Sequence, residues 1–439
     1  MSDISRRGFL KALGAGALGL AIRPKLAHAL DKSLFSGSFA SDVVQCYHDL
    51  ATSGNTINEP VVQMMLDESI MTLTGIRDVG EAWKSLFPGI TESSVIGIKV
   101  VCTNRYLPSH PEVVRCVANG LAQMVLGGSF FKRNNIVVWD RIDSEMTNCG
   151  FTIYDGTDPD TMRCFGSDHP GVGYDYGTPL TVNGVTSYPS NIISQMADYI
   201  INVPALKSHG TSKVTLNLKS HYGSVNNASS LQHTSQCNPA IPHLNQQIRD
   251  VITPNDIQKV FIIDGLFGLY SGGPTGAPNF NPKLLIVSRD IVACDYQGQN
   301  VINRERESHG LGRYDATHIT TAAQPPYSLG TTEVNLIELN NVGVEEPAAR
   351  RPVEGLLEVT PQPVRDRATV GFVISRDSHV SLDLVDAAGS TRASLYNGRL
   401  ARGRHRVSWQ ADGRLSAGTY FVRLNSRTGT RVRQVTVVN

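Results

Sequence analysis

The sequence predicts an α/β domain with a mostly parallel sheet and helices on both faces, followed by a small all-β sandwich. Two periodicities and the break between them predict it. From about residue 90 to 330, near-continuous apolar runs alternate with helical patterns, as in strands buried on both faces. After a Pro/Ala/Glu/Arg-rich stretch at 342–354, apolar residues recur at every second position between glycine turns. The expected units are a leader over 1–29, the α/β domain over 30–341, the linker, and the sandwich over 355–439.

The leader comes first. Ser5-Arg6-Arg7-Gly8-Phe9-Leu10-Lys11 precedes an apolar run from Ala12 to Ile22 and the small-x-small sequence Ala27-His28-Ala29. This is the pattern of a twin-arginine signal peptide, with cleavage expected after Ala29. The chain is therefore expected to engage the twin-arginine translocation machinery and to reside in the periplasm, at the cell surface or outside the cell. The apolar run is too short for a stable membrane span. A net charge of +1 gives no general reason to expect nucleic acid as a partner. The seven cysteines are scattered without C-x-x-C, so no iron–sulfur cluster is expected.

Within the α/β region, Val95–Val101 reads as a strand, and a helix follows from Pro111 with Val113, Val114, Val117, Leu121 and Met124 at helical spacing. Further strands are expected at 136–140, 198–203, 260–264 and 284–287. Asp290 is placed to cap a helix over 291–300. In such sheets ligands sit beyond the carboxyl ends of the strands. The densest polar cluster lies there: Lys207-x-His209, Lys213, Lys219-x-His221, then His233, Cys237 and His243. In an extended segment Lys207 and His209 share a face, as do Lys219 and His221. An ammonium beside an imidazole disfavours its protonation, which leaves it available as a base, an anion donor or a metal ligand.

His209, Lys207 and Lys219 are the expected catalytic group; Lys99, Asn104, His110, Asp264 and Asp295 are the expected substrate contacts. A divalent metal is a candidate cofactor, with His209, His221 and Asp264 as donors, although no H-x-H or H-x-x-x-H pair is present. The three lysines would hold a carboxylate or phosphate of a small anionic ligand. The rival expectation is a non-catalytic binding protein anchored by its sandwich.

Several separated motifs resemble the family known as domain of unknown function 362. They are Ile98-Lys99-Val100 with Asn104 and His110-Pro111-Glu112, then Asn202-Val203-Pro204-Ala205-Leu206-Lys207-Ser208-His209-Gly210, then Ile263-Asp264-Gly265 with Gly272-Gly273-Pro274-Thr275-Gly276, and Ser288-Arg289-Asp290. The resemblance spans about 90–330. Relatives that carry ferredoxin-like domains make redox chemistry the weakly favoured implication. The last eighty residues, with Pro361-Gln362-Pro363, Gly403–Trp409 and Ser416-Ala417-Gly418-Thr419-Tyr420-Phe421, resemble the Ig-like domains of flagellar hook-capping proteins and surface-sorting domains. That resemblance makes a surface-secretion apparatus a candidate partner of residues 355–439.

Replacing Arg6-Arg7 by Lys-Lys is expected to hold the precursor in the cytoplasm. Cell fractionation measures this, and undiminished export would overturn the leader assignment.

Overall fold

The computed structural model describes residues 40–158, 160–252, 257–342, 355–374, 377–386, 389–401, 403–410, 415–426 and 429–438. The expected signal peptide and residues 343–354 of the expected linker lie outside the described residues.

Ten strands build the large sheet: β1 Ser41–Tyr47, β2 Ile96–Val100, β3 Ile136–Trp139, β4 Arg163–Cys164, β5 Tyr199–Val203, β6 Ala205–His209, β7 Lys213–Val214, β8 Gln258–Leu269, β9 Leu284–Ser288 and β10 Val334–Asn340. Their order is β10-β1-β9-β8-β5-β2-β3-β4, with β6 beside the far end of β8 and β7 beside β6. The sheet is mixed. β9 is antiparallel to both neighbours, β1 and β8, whereas the β8-β5-β2-β3-β4 run is parallel. No helix lies between β8 and β9. A parallel return needs a crossover, so this short connection makes the reversed direction the natural one.

The helices are α1 Glu59–Thr74, α2 Val79–Ser85, α3 Pro111–Leu121, α4 Asp143–Asn148, α5 Asn217–Ser220, α6 Ala240–Gln247, α7 Ile291–Ser308 and α8 Thr317–Ala323. Strand residues alternate between two cores. Ile96, Ile98, Val138, Ile201 and Ile262 join Met65 and Ile70 of α1 and Val117 of α3. Val137, Trp139, Ile200, Phe261 and Ile263 join Leu244 of α6 and Val292 and Ile302 of α7. This period-two division is why the strands read as unbroken apolar runs. Asp290 caps α7, its Oδ1 accepting from the N–H groups of Val292 and Ala293 at 2.8 and 3.0 Å. Among the described residues, no helix is long and apolar enough to cross a membrane.

The C-terminal region holds β11 Gly355–Thr360, β12 Arg367–Ile374, β13 Ser378–Val385, β14 Thr391–Leu400, β15 Gly403–Gln410, β16 Gly418–Ser426 and β17 Gly429–Val437. They form antiparallel sheets of order β11-β12-β15 and β14-β13-β16-β17. Val370, Phe372 and Trp409 from the first sheet share one core with Leu382, Val422, Leu424 and Val435 from the second.

Gly120 of α3 lies directly against Trp83 of α2, and a Cβ there would overlap the indole nitrogen. Alanine gains about 1 kcal/mol of helix propensity, while overpacking a core costs about 1–3 kcal/mol. Gly120→Ala is therefore expected to destabilise the protein by about 1–2 kcal/mol in denaturant melts. A more stable variant would show that α2 and α3 can separate freely.

Candidate functional site

Two adjoining groups of polar side chains occupy the region where the parallel strands end. The first is built on Lys99 of β2. Its Nζ donates to Asp140 Oδ1 at 2.8 Å and to the Val100 carbonyl at 2.6 Å, and the pair is buried from solvent. Asp140 Oδ2 accepts the Cys102 N–H at 2.7 Å. Gly223 seals the pair, since a Cβ there would come within 2.6 Å of Asp140 Oδ1 and 3.1 Å of Lys99 Nζ. Lys99 is thus engaged by a carboxylate of its own chain.

Lys207 of β6 is buried beside this pair and donates to the Leu107 carbonyl at 3.1 Å. Burial lowers its pKa to about 8. Asp264, fully buried on β8, accepts from the His110 backbone N–H at 2.9 Å and contacts His110 Nδ1 at 2.6 Å. Burial works against a charged His110, but Asp264 overcomes it and raises the pKa. Asn104 holds the glycine loop through Pro274 and Gly276 carbonyls at 2.9 and 2.8 Å. Its amide is therefore occupied by the protein itself.

The second group lies past β6. His209 Nδ1 accepts the Thr211 and Ser212 N–H groups at 3.0 and 3.2 Å. That acceptor role puts the proton of the neutral ring on Nε2. Burial, then Lys219, His233 and Lys207, lowers the His209 pKa to about 4. At neutral pH His209 is a hydrogen-bond donor at Nε2. Lys219 sits on α5, whose first N–H groups, from Asn217 and Leu218, are held by the buried Asp295 carboxylate at 2.9 and 2.8 Å. Asp295 is therefore a positioning residue. Burial raises its pKa to about 7. The Lys219 ammonium lies 4.2 Å from the centre of the Tyr222 ring, on which His233 packs edge-on at 5.4 Å.

His318 of α8 completes this group, and sequence reading missed it. It is fully buried, and among the described residues neither ring nitrogen has a hydrogen-bond partner. The Gln236 backbone approaches it outside hydrogen-bond geometry. Burial, then Lys219 and His209, lowers its pKa to about 3. The turn that positions α8 is strained: Ser235, Gln236 and Cys237 have φ of 47°, 61° and 57°. Gln236 Oε1 accepts the Thr317 N–H at 2.9 Å, which ties that turn to the first residue of α8. A strained turn is a signal that only coordinates reveal.

The expected metal set does not assemble. Asp264 is committed to His110, and His221 is a core residue whose Nε2 contacts Gln258 Oε1 at 2.8 Å and whose Nδ1 contacts Ser224 Oγ at 3.0 Å. Burial lowers the His221 pKa to about 3. Among the described residues, no group of three or more His, Cys, Asp or Glu side chains could hold a metal ion. Lys219 reaches the second group, whereas His221, two residues on, turns into the core.

The family model described as Domain of unknown function (DUF362) matches residues 103–299 and supports that domain family for this region. No curated protein matches. Among solved structures, a protein from Thermotoga maritima is 10% identical, covering 59% of this chain and 61% of its own, with a TM-score of 0.33. Dimeric latent PorU from Porphyromonas gingivalis is 22% identical over 20% of this chain, which spans 9% of PorU, with a TM-score of 0.17. CopC from Methylosinus trichosporium OB3b is 17% identical, covering 19% of this chain and 92% of its own, with a TM-score of 0.14.

His221 and His318 are held neutral, with pKa lowered to about 3 in the fold against about 6.5 in the unfolded chain. The unfolded chain binds the extra protons between those values. Stability is therefore intact above about pH 6.5 and falls as the pH drops towards 3, by about 1.4 kcal/mol per pH unit for each ring. His318→Phe is expected to remove one proton from the uptake on unfolding between about pH 6 and 4.5. Denaturant melts across that range measure it, and an unchanged slope would mean the ring is already charged in the native protein.

Proposed function

We propose that this is an exported protein that acts on an anionic small molecule, bound through Lys219 and the His209, His233 and His318 imidazoles. One observation carries the reading: a buried ammonium and three imidazoles share a site in which, among the described residues, no carboxylate acts on Lys219, His209 or His318. Placing positive charge and donors together inside a protein is costly without an anion to meet them. The Nε2–H of His209 and the single N–H of neutral His318 supply neutral donors, and Lys219 supplies the charge. A carboxylate or phosphoryl group is the chemical match.

Proton transfer in this proposal belongs to His110 rather than His209. Asp264 orients the His110 ring and favours its protonated form, the arrangement of a general acid–base group. An Ig-like reading of the C-terminal sheets is supported by Tyr420, whose hydroxyl donates to the Ser416 carbonyl at 2.9 Å in the manner of a tyrosine corner. That module would serve as the surface anchor or docking element.

Inorganic phosphate and malonate are suitable probes, titrated calorimetrically. Losing a charge-assisted bond costs about 1.5–3 kcal/mol, so Lys219→Met is expected to weaken binding roughly 10- to 150-fold. Lys84→Met, a surface control paired with Glu81, should bind like the parent. Equal affinity in the Lys219 variant, or no binding of either anion to the parent, would sink the proposal.

A further inference from the structure

Two thiols far apart in sequence meet beside the Lys99–Asp140 pair. Cys102 opens the loop after β2 and is 2% exposed; Cys149 follows α4 and is 7% exposed. Cys149 Sγ lies 3.3 Å from the Cys102 carbonyl oxygen, which brings the two residues into direct contact. Both are free. Their surroundings polarise them in opposite senses. The Cys102 contact, helped by nearby Lys207, lowers the Cys149 pKa against the effect of burial, while the same contact and burial raise that of Cys102. An asymmetric pair of this kind has one thiol suited to attack and one suited to resolve.

We propose that Cys102 and Cys149 form a reversible dithiol–disulfide pair that exchanges with a low-molecular-weight disulfide. The Cys149 thiolate attacks one sulfur of the small disulfide, forming a mixed disulfide and expelling one thiolate. Cys102 then gives its proton to the first small thiolate, and its own thiolate attacks Cys149 Sγ and expels the second small thiolate, which takes up the proton that Cys149 had released to solvent. Two protein thiols and one small disulfide thus become one protein disulfide and two small thiols. The protein sulfurs lose two electrons, the small disulfide gains them, and both protons finish on the released thiols. Cys149, the more exposed thiol, is the point of entry. Closure would tie the end of α4 to the loop whose Cys102 N–H binds Asp140.

The test uses the full folded chain treated with hydroxyethyl disulfide at mildly alkaline pH, then denatured, alkylated and peptide-mapped. The expected result is loss of two of the seven alkylatable thiols and a Cys102–Cys149 cross-linked peptide that dithiothreitol abolishes. Cys102→Ser should arrest at the mixed disulfide on Cys149, and Cys149→Ser should show no adduct on Cys102. Should either variant fail to fold, the map of the parent protein decides alone. Retention of both thiols after long oxidation, a lasting adduct on Cys149 of the parent, or cross-linking of a different pair would each overturn the proposal.

Discussion

The buried Lys99–Asp140 ion pair is the constraint around which the strand ends are arranged. Removing two charges from water is expensive, and their attraction repays the cost only when the remaining hydrogen-bonding capacity is also met. Here the Val100 carbonyl takes a second Lys99 proton and the Cys102 N–H takes the second Asp140 oxygen. The pair therefore fixes the end of β2, the end of β3 and the first residues of the following loop together. Gly223 lets the segment after α5 close over it without a side chain. Losing one partner of such a pair typically costs about 3–5 kcal/mol, because the other charge stays buried.

From that anchor the two polar groups acquire distinct characters. On one side, Lys207, His110 and Asp264 face a region that contains carboxylates, so charge is compensated within the chain. On the other, His209 and His318 meet burial and like charge, and Lys219 meets burial and the face of Tyr222. Proximity along β6 does not make Lys207 and His209 one device. The first is balanced by the protein; the second is left to be balanced by something that arrives.

Much of this was legible in the sequence. Unbroken apolar runs located β2, β3, β5 and β9, and the helical spacing after Pro111 located α3, because burial on both faces imposes those patterns. The expected strand at 260–264 is the centre of β8, which runs from 258 to 269. The antiparallel course of β9 was not legible, since apolar runs carry no direction. Of the residues expected to bind substrate, Lys99, Asn104 and Asp295 face partners in their own chain. Residue type reports what a side chain can bind, whereas only the fold reports what has already bound it. His318 and Cys149 escaped notice because each gains its meaning from a neighbour distant in sequence.

The path of β1 bears on where the domain can be cut. β1 at 41–47 lies between β9 and β10, and Gln45 of β1 bonds Glu338 across a sequence separation of 293 residues. The family match, 103–299, contains neither β1 nor β10, nor β2 in the middle of the sheet. A fragment trimmed to the match would lack the strand between β5 and β3 and would leave β9, buried along its whole length here, as a bare edge. Exposed apolar edges invite pairing with other chains. The shared motif is thus smaller than the physical unit: its sheet is closed by segments that enter before it begins and return after it ends.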